Sequence, residues 1–349
     1  RREAWRMRGV SVTDYQQTAE LPNIKAAMPE YGEAHSQVLQ AVVLRVERAF
    51  QAFFRRLQAG ETPGYPRFHG RDRYNSFTYP QFENGVRLDN GFLVFSKIGR
   101  AAARWSRPIE GTPKTVTLSR QADGWYACLA CAEIPMQPLP RAGQQTGIVL
   151  GLESFATLAD GTMNHNPRCF RTAEWRLKRL QCCVSRRKKG SNRRRKAVKL
   201  LARAHQTVKR RRPDFHHKTA LALVQRHDTI YYEALQTANM VQNRHLAKSI
   251  SDAAWSAFLG ILSVKAAGAG RSVVAVPPAY TSQTCSGPAC GRVVWKDLSV
   301  RWHRCLDCGT SLHRDHNAAR NILALGKKQR SGAGQALQAS TQADAPYVA

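Results

Sequence analysis

The spacing of apolar residues is clearest between positions 33 and 60, where it predicts one amphipathic helix. The sequence EAHSQVLQAVVLRVERAFQAFFRRLQAG places apolar residues three and four apart, as on one helical face, and Gly60 suits the position after a helix end. From about 84 to 134 the pattern changes to short strands, with an Asn-Gly hairpin turn in VRLDNGFLVF. These strands predict a small barrel or a strongly twisted sheet.

The second half of the chain alternates strand-like and helix-like segments. TGIVLGLESFATLADG, residues 146–161, is typical of a short buried strand followed by polar turns. Residues 171–212 predict two helices separated by the sequence Gly-Ser-Asn at 190–192, and the segment 243–270 predicts one further helix. Strands are predicted in HDTIYYEALQ and RSVVAVPP, so the pattern favours an α/β sheet with mixed or parallel pairing.

These elements divide the chain into three regions and a tail. The helical region covers 1–75, the β region 76–143 and the α/β region 144–326. The Pro-rich segment PMQPLPRAGQQ places a domain boundary near 140–145. The tail, 327–349, is polar and rich in Ala and Gln, so we expect it to be disordered.

Positive charge is the strongest compositional signal. The chain has 54 Lys and Arg against 24 Asp and Glu, a net charge of +30. Residues 171–212 alone contain 18 Lys and Arg and one acid, Glu174, a net +17. Such clustering favours nucleic acid as the partner, although a run of like charges can also be disordered. The candidate nucleic-acid contacts in this hairpin are Arg186, Arg187, Lys188, Lys189, Arg193, Arg194, Arg195, Lys196, Lys209, Arg210, Arg211 and Arg212.

A second basic segment follows the first long helix. GETPGYPRFHGRDRYNSFTYP interrupts the helical pattern and places aromatic residues between arginines. Aromatic rings beside cations suit base stacking and phosphate contact. Arg67 and Tyr74 are the candidate contacts, and a packed linker is the alternative interpretation.

Four of the nine cysteines form two close pairs, of the form C-x4-C, fourteen residues, then C-x2-C. Two such pairs can enclose one Zn²⁺ ion tetrahedrally, and four thiolates leave no open coordination position. We therefore predict a structural zinc ribbon over 281–312. The predicted ligands are Cys285, Cys290, Cys305 and Cys308. His303 and His313 are possible substitute ligands, and four reduced core cysteines are the alternative.

The sequence predicts no membrane span, because no run of about 18 apolar residues occurs. The first residues, RREAWRMRGVSV, contain no apolar signal segment. Since the chain does not begin with Met, we expect a processed, trimmed or partial product. A disulfide framework is not expected in such a basic protein without a signal peptide.

Three segments together resemble the RuvC-like nuclease of the TnpB/OrfB proteins of transposons, which are related to compact type V CRISPR effectors. They are GIVLGLESFATLADG, IYYEALQTANMVQNRHLAKSISDAAWSAF, and the stretch from TSQTC to WHRCLDCGTSLHRDHNAARNIL. The resemblance is dense from about residue 146 to 324 and weaker over the preceding segments. The combination of motifs is highly specific.

The resemblance implies an α+β and α/β multidomain fold. Residues 1–75 would form a helical recognition region, 76–143 an OB-like β-barrel wedge domain, and 144–326 a RuvC domain of RNase H-like fold with the zinc ribbon inserted. It also implies a guide RNA, called omega RNA in transposon systems, and double-stranded target DNA, with base pairing reading the sequence. We expect no membrane partner and a prokaryotic cytoplasmic protein that is associated with the nucleoid when bound.

The resemblance also implies a catalytic site in which three carboxylates hold two Mg²⁺ ions. It assigns the second carboxylate to Glu233 in YYEAL and the third to Asp315 in HRDHNAA. The first would be the Asp of GIDLG, but this chain has Val149 in GIVLG, and valine cannot ligate Mg²⁺. Glu153 is expected on the same strand face, roughly 13 Å away, too far to substitute. Ala234 also stands where the family usually has an acid.

Three hypotheses remain open. The first is an RNA-guided DNA-binding protein that does not cleave, with Mg²⁺ binding weak or absent. The second is an active Mg²⁺-dependent RNA-guided DNA endonuclease that tolerates Val149. The third is a guide-independent zinc-ribbon DNA-binding accessory of transposition. Val149 fits a natural adaptation, a decayed copy or an engineered inactivation.

Overall fold

The structure, a computed structural model, describes residues 1–70, 73–297 and 299–343. These residues form two compact units, Arg1–Pro135 and Met136–Ala349. The boundary therefore lies before the predicted position near 140–145. The helical and β regions, which the sequence pattern separates, belong to one unit because the long helix packs on the first sheet.

The first unit begins with helices. They are α1 (Arg2–Arg8), α2 (Asp14–Ala19), α3 (Leu21–Ala27), a 3-10 turn (Pro29–Glu33) and α4 (Ser36–Gln58). Helix α4 is the one predicted over 33–60. His35 caps its first turn by accepting the backbone N–H of Gln37 at 3.3 Å. Arg45, in the middle of α4, donates to the carbonyl of Ser76 and the hydroxyl of Thr78, which fastens the helix to the first strand.

Two three-stranded antiparallel sheets complete the first unit. Their strands are β1 (Ser76–Tyr79), β2 (Val86–Asp89), β3 (Phe92–Phe95), β4 (Gly99–Ala102), β5 (Thr112–Arg120) and β6 (Trp125–Ala132). The orders are β1-β5-β6 and β2-β3-β4. Asn90 and Gly91 have positive φ, as the predicted Asn-Gly turn requires. The predicted OB-like barrel is wrong for the described residues, because the sheets share a core around Tyr79, Leu93 and Val116 without pairing into one closed sheet.

A five-stranded mixed sheet forms the centre of the second unit. Its strands are β7 (Gln145–Leu150), β8 (Ser154–Leu158), β9 (Met163–His165), β10 (Thr229–Glu233) and β11 (Ser272–Val276). The order is β11-β10-β7-β8-β9. Strands β7, β10 and β11 are parallel, whereas β7, β8 and β9 pair antiparallel. The mixed pairing expected from alternating strands and helices is therefore present.

Helices cover both faces of this sheet. They are α5 (Cys169–Ser185), α6 (Asn192–Arg226), α7 (Thr237–Met240), α8 (Ala247–Ala253), α9 (Trp255–Gly268) and α10 (Arg314–Ala343). Ile148 of β7 packs on one face with Leu223 of α6 and Phe258 of α9. Its neighbour Val149 packs on the other face with Ile322 of α10. The two-residue period of the strand thus sorts its side chains between two cores.

Helix α10 approaches the sheet most closely at two glycines. A Cβ added at Gly147 of β7 would lie 2.2 Å from the carbonyl oxygen of Ala319. A Cβ added at Gly326 of α10 would lie 2.0 Å from the ring of Tyr231 in β10. Neither position has room for a methyl group, so α10 contacts the sheet backbone and an aromatic face directly.

Two helical segments differ from the sequence prediction. The segment 243–270 forms two helices, because Ala254 adopts a left-handed conformation with φ of 52° between α8 and α9. Helix α10 continues through 327–343, where we expected disorder, since Ala, Gln and Lys are good helix formers. Residues 344–349 of that tail lie outside the described residues. Among the residues that are described, no helix is long and apolar enough to cross a membrane.

An insertion, residues 277–313, separates β11 from α10 and contains both cysteine pairs. It includes an antiparallel ribbon of β12 (Trp302–Arg304) and β13 (Ser311–His313). A further bridge pairs Thr284 with Val293 around the first cysteine pair. The last strand of the insertion, β13, is followed directly by the first turn of α10.

Candidate active site and metal centre

A row of side chains crosses the sheet at the level of Val149. Val149 of β7 is directly opposite Thr157 of β8. In the parallel pairing of β10 with β7, Tyr232 lies opposite Ile148, so Glu233 comes one step further, level with Val149. Neighbouring residues in register point to the same face of a sheet. Glu233, Val149 and Thr157 therefore share one face.

Helix α10 covers this face and carries Asp315 in its first turn. Gly151, two residues after Val149, lies under that turn, because a Cβ added there would be 3.8 Å from Asp315 Oδ2. The charge of Asp315 also acts on the carboxyl of Glu233. The structure thus brings together the three positions that the resemblance assigns to the carboxylates, with valine at one of them.

Burial raises the pKa of the Glu233 carboxyl, and the nearby charge of Asp315 raises it further. The hydroxyl of Thr281, which donates to Glu233 Oε1, and the charge of Arg314 act in the opposite direction. Two acidic groups held together out of water repel each other, and a divalent cation would relieve that repulsion. The two carboxylates are suitable oxygen donors for Mg²⁺, but Val149, 9% exposed, adds none.

Glu153 does not replace the missing carboxylate. Strand β7 ends at Leu150 and β8 begins at Ser154, so Glu153 lies in the turn and not on the strand as we expected. Its side chain is 56% exposed and pairs with Arg301 at 3.4 Å. Its carboxylate is therefore held at the surface by a cation of the insertion.

The insertion brings the four predicted cysteines together. Their Sγ atoms all lie within 4.8 Å of one another, with Cys285 to Cys308 at 3.5 Å and Cys290 to Cys305 at 3.7 Å. Zinc–sulfur bonds of roughly 2.3 Å in a tetrahedron place sulfur atoms about 3.8 Å apart. The donor set therefore fits one Zn²⁺ ion with no open coordination position.

The surroundings of the cluster shift the pKa values of its thiols in opposite directions. Hydrogen bonds from the side chain and the backbone of Thr310 lower the pKa of Cys308 to about 6. Burial instead raises the pKa of Cys285. Among the described residues, neither His303 nor His313 belongs to the group of converging metal donors. Of the six candidate ligands, the four cysteines are therefore the ones that converge.

The basic hairpin is folded as two packed helices, α5 and α6. Buried positions on the facing stripes include Leu177, Val184 and Ala204. Ser191 begins α6 as its N-cap, where the predicted turn lies. Ten of the twelve candidate contacts are exposed: Arg186, Arg187, Lys188, Lys189, Arg193, Arg195, Lys196, Lys209, Arg210 and Arg211. The hairpin therefore presents a broad cationic surface.

The two remaining candidates hold the fold together. Arg194 donates to the carbonyl oxygens of Val184 at 2.6 Å and Arg187 at 3.0 Å, which closes the turn of the hairpin. Arg212 pairs at 3.1 Å with the buried carboxylate of Asp252, which also accepts backbone N–H groups in the first turn of α5. These two arginines are only partly available to a nucleic acid.

The basic and aromatic segment of the first unit is divided between surface and core. Arg67 is exposed, and Tyr74 is 38% exposed with the Arg45 guanidinium 5.5 Å from its ring centroid. Tyr79 is a core residue, whereas Phe68 is 93% exposed. The ring of Tyr74 already contacts a cation, so Arg67 and Phe68 are the more accessible groups.

Sequence reasoning did not single out three residues that the site depends on. Thr281 donates to Glu233, and Asp252 ties α5, α6 and α8 together. Lys296 is buried beside His303, and desolvation lowers its pKa to about 8. Single residues of common types carry no periodic signal, so only the fold identifies them.

Comparisons with known proteins agree with this architecture. The family model OrfB_IS605, described as a probable transposase, matches residues 127–244. The Cas12f1-like TNB domain model matches residues 255–322. Together they span the mixed sheet, the hairpin and the four-cysteine insertion.

Similar proteins extend the match over nearly the whole chain. A Streptomyces pristinaespiralis protein named as an RNA-guided DNA endonuclease is 36% identical over 331 residues, 93% of this chain and 78% of the relative. InsQ of Escherichia coli K12, named in the same way, is 34% identical over 84% of this chain and 75% of its own length. A solved Cas12f1–sgRNA–target DNA complex covers 92% of this chain and 88% of that chain at 14% identity, with a TM-score of 0.39.

A mixed α/β sheet followed by a four-cysteine insertion is thus matched by the family models for a probable transposase and for a Cas12f1-like TNB domain. The chain belongs to the TnpB/OrfB family, since relatives above 30% identity match most of both lengths. The resemblance of the three sequence motifs is thereby confirmed.

Proposed function

We propose that this chain is an RNA-guided DNA-binding protein that does not cut its target. The main supporting observation is that valine occupies one of the three carboxylate positions, whereas Glu233 and Asp315 are kept at the other two. Relatives named as RNA-guided DNA endonucleases support guided binding. The exposed cations of the α5–α6 hairpin provide a surface for the phosphate backbone. The β7-to-β11 sheet with α10 on one face supports a RuvC-like fold.

The missing carboxylate matters because water would have to fill the Mg²⁺ coordination position that an aspartate at 149 would supply. Glu233 and Asp315 would hold an ion weakly, and Val149 would leave one side of it without a protein ligand. A bound pair of Mg²⁺ ions would supply activated water and stabilise the leaving oxygen. A loss of ~4 kcal/mol in transition-state stabilisation slows a reaction about a thousandfold. Four sulfur donors make the second metal centre a structural zinc site.

The test purifies the full chain with its bound RNA, sequences that RNA, and then assays binding and Mg²⁺-dependent cleavage of a matching plasmid. We expect one discrete RNA species, guided binding and an uncut plasmid. Cleavage that disappears on Glu153→Gln would assign the third ligand to Glu153 and overturn the proposal. Absence of a discrete RNA, with DNA binding retained, would instead favour a guide-independent accessory of transposition.

A second experiment tests the cationic surface of the hairpin. Replacing Arg193, Arg195 and Lys196 by Ala should weaken binding to all nucleic-acid sequences. It should reduce the slope of log K against log salt by about 2–3, because each lost phosphate contact removes about 0.9. Arg194 is left in place because it closes the turn.

The matched control removes three exposed cations elsewhere, by Lys218→Ala, Arg226→Ala and Lys328→Ala. It changes net charge equally and should leave the slope nearly as it was. An unchanged slope in the hairpin variant would show that these cations are merely solvated.

A further inference from the structure

The hydroxyl of Thr157 is buried without a hydrogen-bond partner. Thr157 is 1% exposed, and its Oγ1 is among the buried side-chain polar atoms that make no hydrogen bond within the described part of the chain. A buried hydroxyl that gives up water and gains no partner is unfavourable. A native structure seldom keeps such a group without a reason.

This hydroxyl faces the same space as the side chain of Val149. The two residues are directly opposite in the antiparallel pairing of β7 with β8. Ala159, two residues after Thr157, packs with Val149 in the cluster against α10. Because side chains two apart on a strand point the same way, Thr157 also points towards α10. Methyl groups of valine thus stand where an acceptor would satisfy the hydroxyl.

The chain contains an example of the interaction that is missing here. Thr78 of β1 and Thr117 of β5 are directly opposite in antiparallel register, and their hydroxyl oxygens are 2.9 Å apart. Positions 149 and 157 have the same relation. A polar side chain at 149 would therefore be within reach of the Thr157 hydroxyl.

We propose that Thr157 is a positioning residue for a polar side chain at position 149, to which its hydroxyl donates a hydrogen bond. The proposal rests on the proposed function, because the polar side chain in question is the carboxylate that cleavage would need. Donation to one carboxylate oxygen would fix the side-chain rotamer and aim the other oxygen towards Glu233 and Asp315. With valine at 149, the hydroxyl is left without its acceptor.

A double-mutant cycle on the full, zinc-loaded chain tests this, read as the melting temperature without added Mg²⁺ or RNA. Val149→Asn supplies an acceptor and adds no charge beside Glu233. In the unsubstituted chain, Thr157→Val should leave the melting temperature unchanged or raise it. In the Val149→Asn background, Thr157→Val should lower it by about 2–4 °C, the shift expected for losing one hydrogen bond. Thr157→Ser, which keeps the hydroxyl, should restore most of that loss.

Thr146→Val is the matched control. Thr146 is buried on β7, and its hydroxyl already accepts the backbone N–H of Ala159 at 3.4 Å. Thr146→Val should lower the melting temperature equally in both backgrounds. If Val149→Asn does not fold, Val149→Thr replaces it, because threonine keeps the shape of valine and would reproduce the Thr78–Thr117 pair.

An equal effect of Thr157→Val in both backgrounds would overturn the proposal. The cycle is measured without Mg²⁺, guide or target. Its failure would therefore leave guided DNA binding unaffected, and absence of guided binding would leave the cycle unaffected.

Discussion

The four-cysteine cluster and the carboxylate row belong to the same unit, yet one is complete and the other is not. The cluster keeps all four donors within 4.8 Å of one another. The carboxylate site keeps Glu233 and Asp315 but has Val149 where the resemblance places the first carboxylate. Under the proposed assignment, folding of the insertion and cleavage would depend on separate sets of donors.

The two sites also differ in how they affect the stability of the metal-free protein. A structural zinc site contributes folding free energy directly, so the proposed zinc would stabilise the insertion. Burial raises the pKa of Glu233, and repulsion from Asp315 raises it further. Valine at 149 removes part of that repulsion and packs with Ile322. Loss of a carboxylate therefore leaves the sheet intact, whereas loss of a cysteine would not spare the insertion.

The largest effect is expected at the complete site. Cys305→Ser should remove most bound zinc and unfold the insertion, because structural zinc contributes about 10–16 kcal/mol in small zinc-binding domains. Elemental analysis measures the zinc, and hydrogen exchange over 277–313 measures the loss of structure. Cys182→Ser, at an exposed cysteine outside the cluster, is the control. A full equivalent of zinc in the Cys305→Ser protein would contradict the assignment.

The next effect tests whether the incomplete site lacks only one group. Val149→Asp should raise Mg²⁺-dependent cleavage of guided target DNA about a thousandfold, corresponding to ~4 kcal/mol. Gel analysis of plasmid nicking measures it, with Val149→Leu as the control for packing.

Glu233→Gln or Asp315→Asn should abolish the regained cleavage. If Val149→Asp binds guided DNA tightly and remains inert, the loss extends beyond position 149. Ala234, where the family usually has an acid, would be the next position to restore.

The smallest effect, on the melting temperature, concerns the repulsion that remains between Glu233 and Asp315. The folded-state pKa of Glu233 is raised, so its contribution to stability is present at low pH and is lost as the pH rises through that pKa. In zinc-loaded protein without added Mg²⁺ at neutral pH, Glu233→Gln should therefore raise the melting temperature slightly. The difference should disappear as the pH falls below the ordinary range of carboxyl groups.

Glu174→Gln is a control for which we expect a shift of the melting temperature in the opposite direction. Lys248 and Lys178 lower the pKa of Glu174 to about 2, so its substitution should lower the melting temperature at neutral pH. Two glutamates that responded with the same sign would contradict the environment described for Glu233.

Local chemistry explains which features were predictable. Paired cysteines, the Asn-Gly turn and the break before Ser191 each depend on residues within a few positions, and all lie where the sequence pattern places them. Barrel closure depends on pairing between distant strands, and nothing in a single strand reports it. The break at Ala254 is similar, because alanine by itself favours a continuous helix.

The structural roles of single arginines within the run of basic residues could not be predicted from the sequence either. Arg194 and Arg212 stand among identical neighbours, and only the fold shows that they bind the hairpin turn and Asp252. Thr157 and Thr281 carry no local signal, because threonine is common in strands and loops for other reasons. Motif resemblance located Val149 and Glu233, but the register of β7 with β10 was needed to align them.

The contact between Gly326 of α10 and Tyr231 of β10 couples the position of the helix to the spacing of the two carboxylates. Tyr231 is two residues before Glu233 on β10, and Gly326 follows Asp315 by about three helical turns, or roughly 16 Å. The strand and the helix are thus in contact at Tyr231 and Gly326, and each carries one of the two carboxylates. A methyl group at position 326 would displace α10 relative to β10 and change the separation of Glu233 and Asp315. The geometry of the row can therefore be altered from a residue that touches none of its ligands.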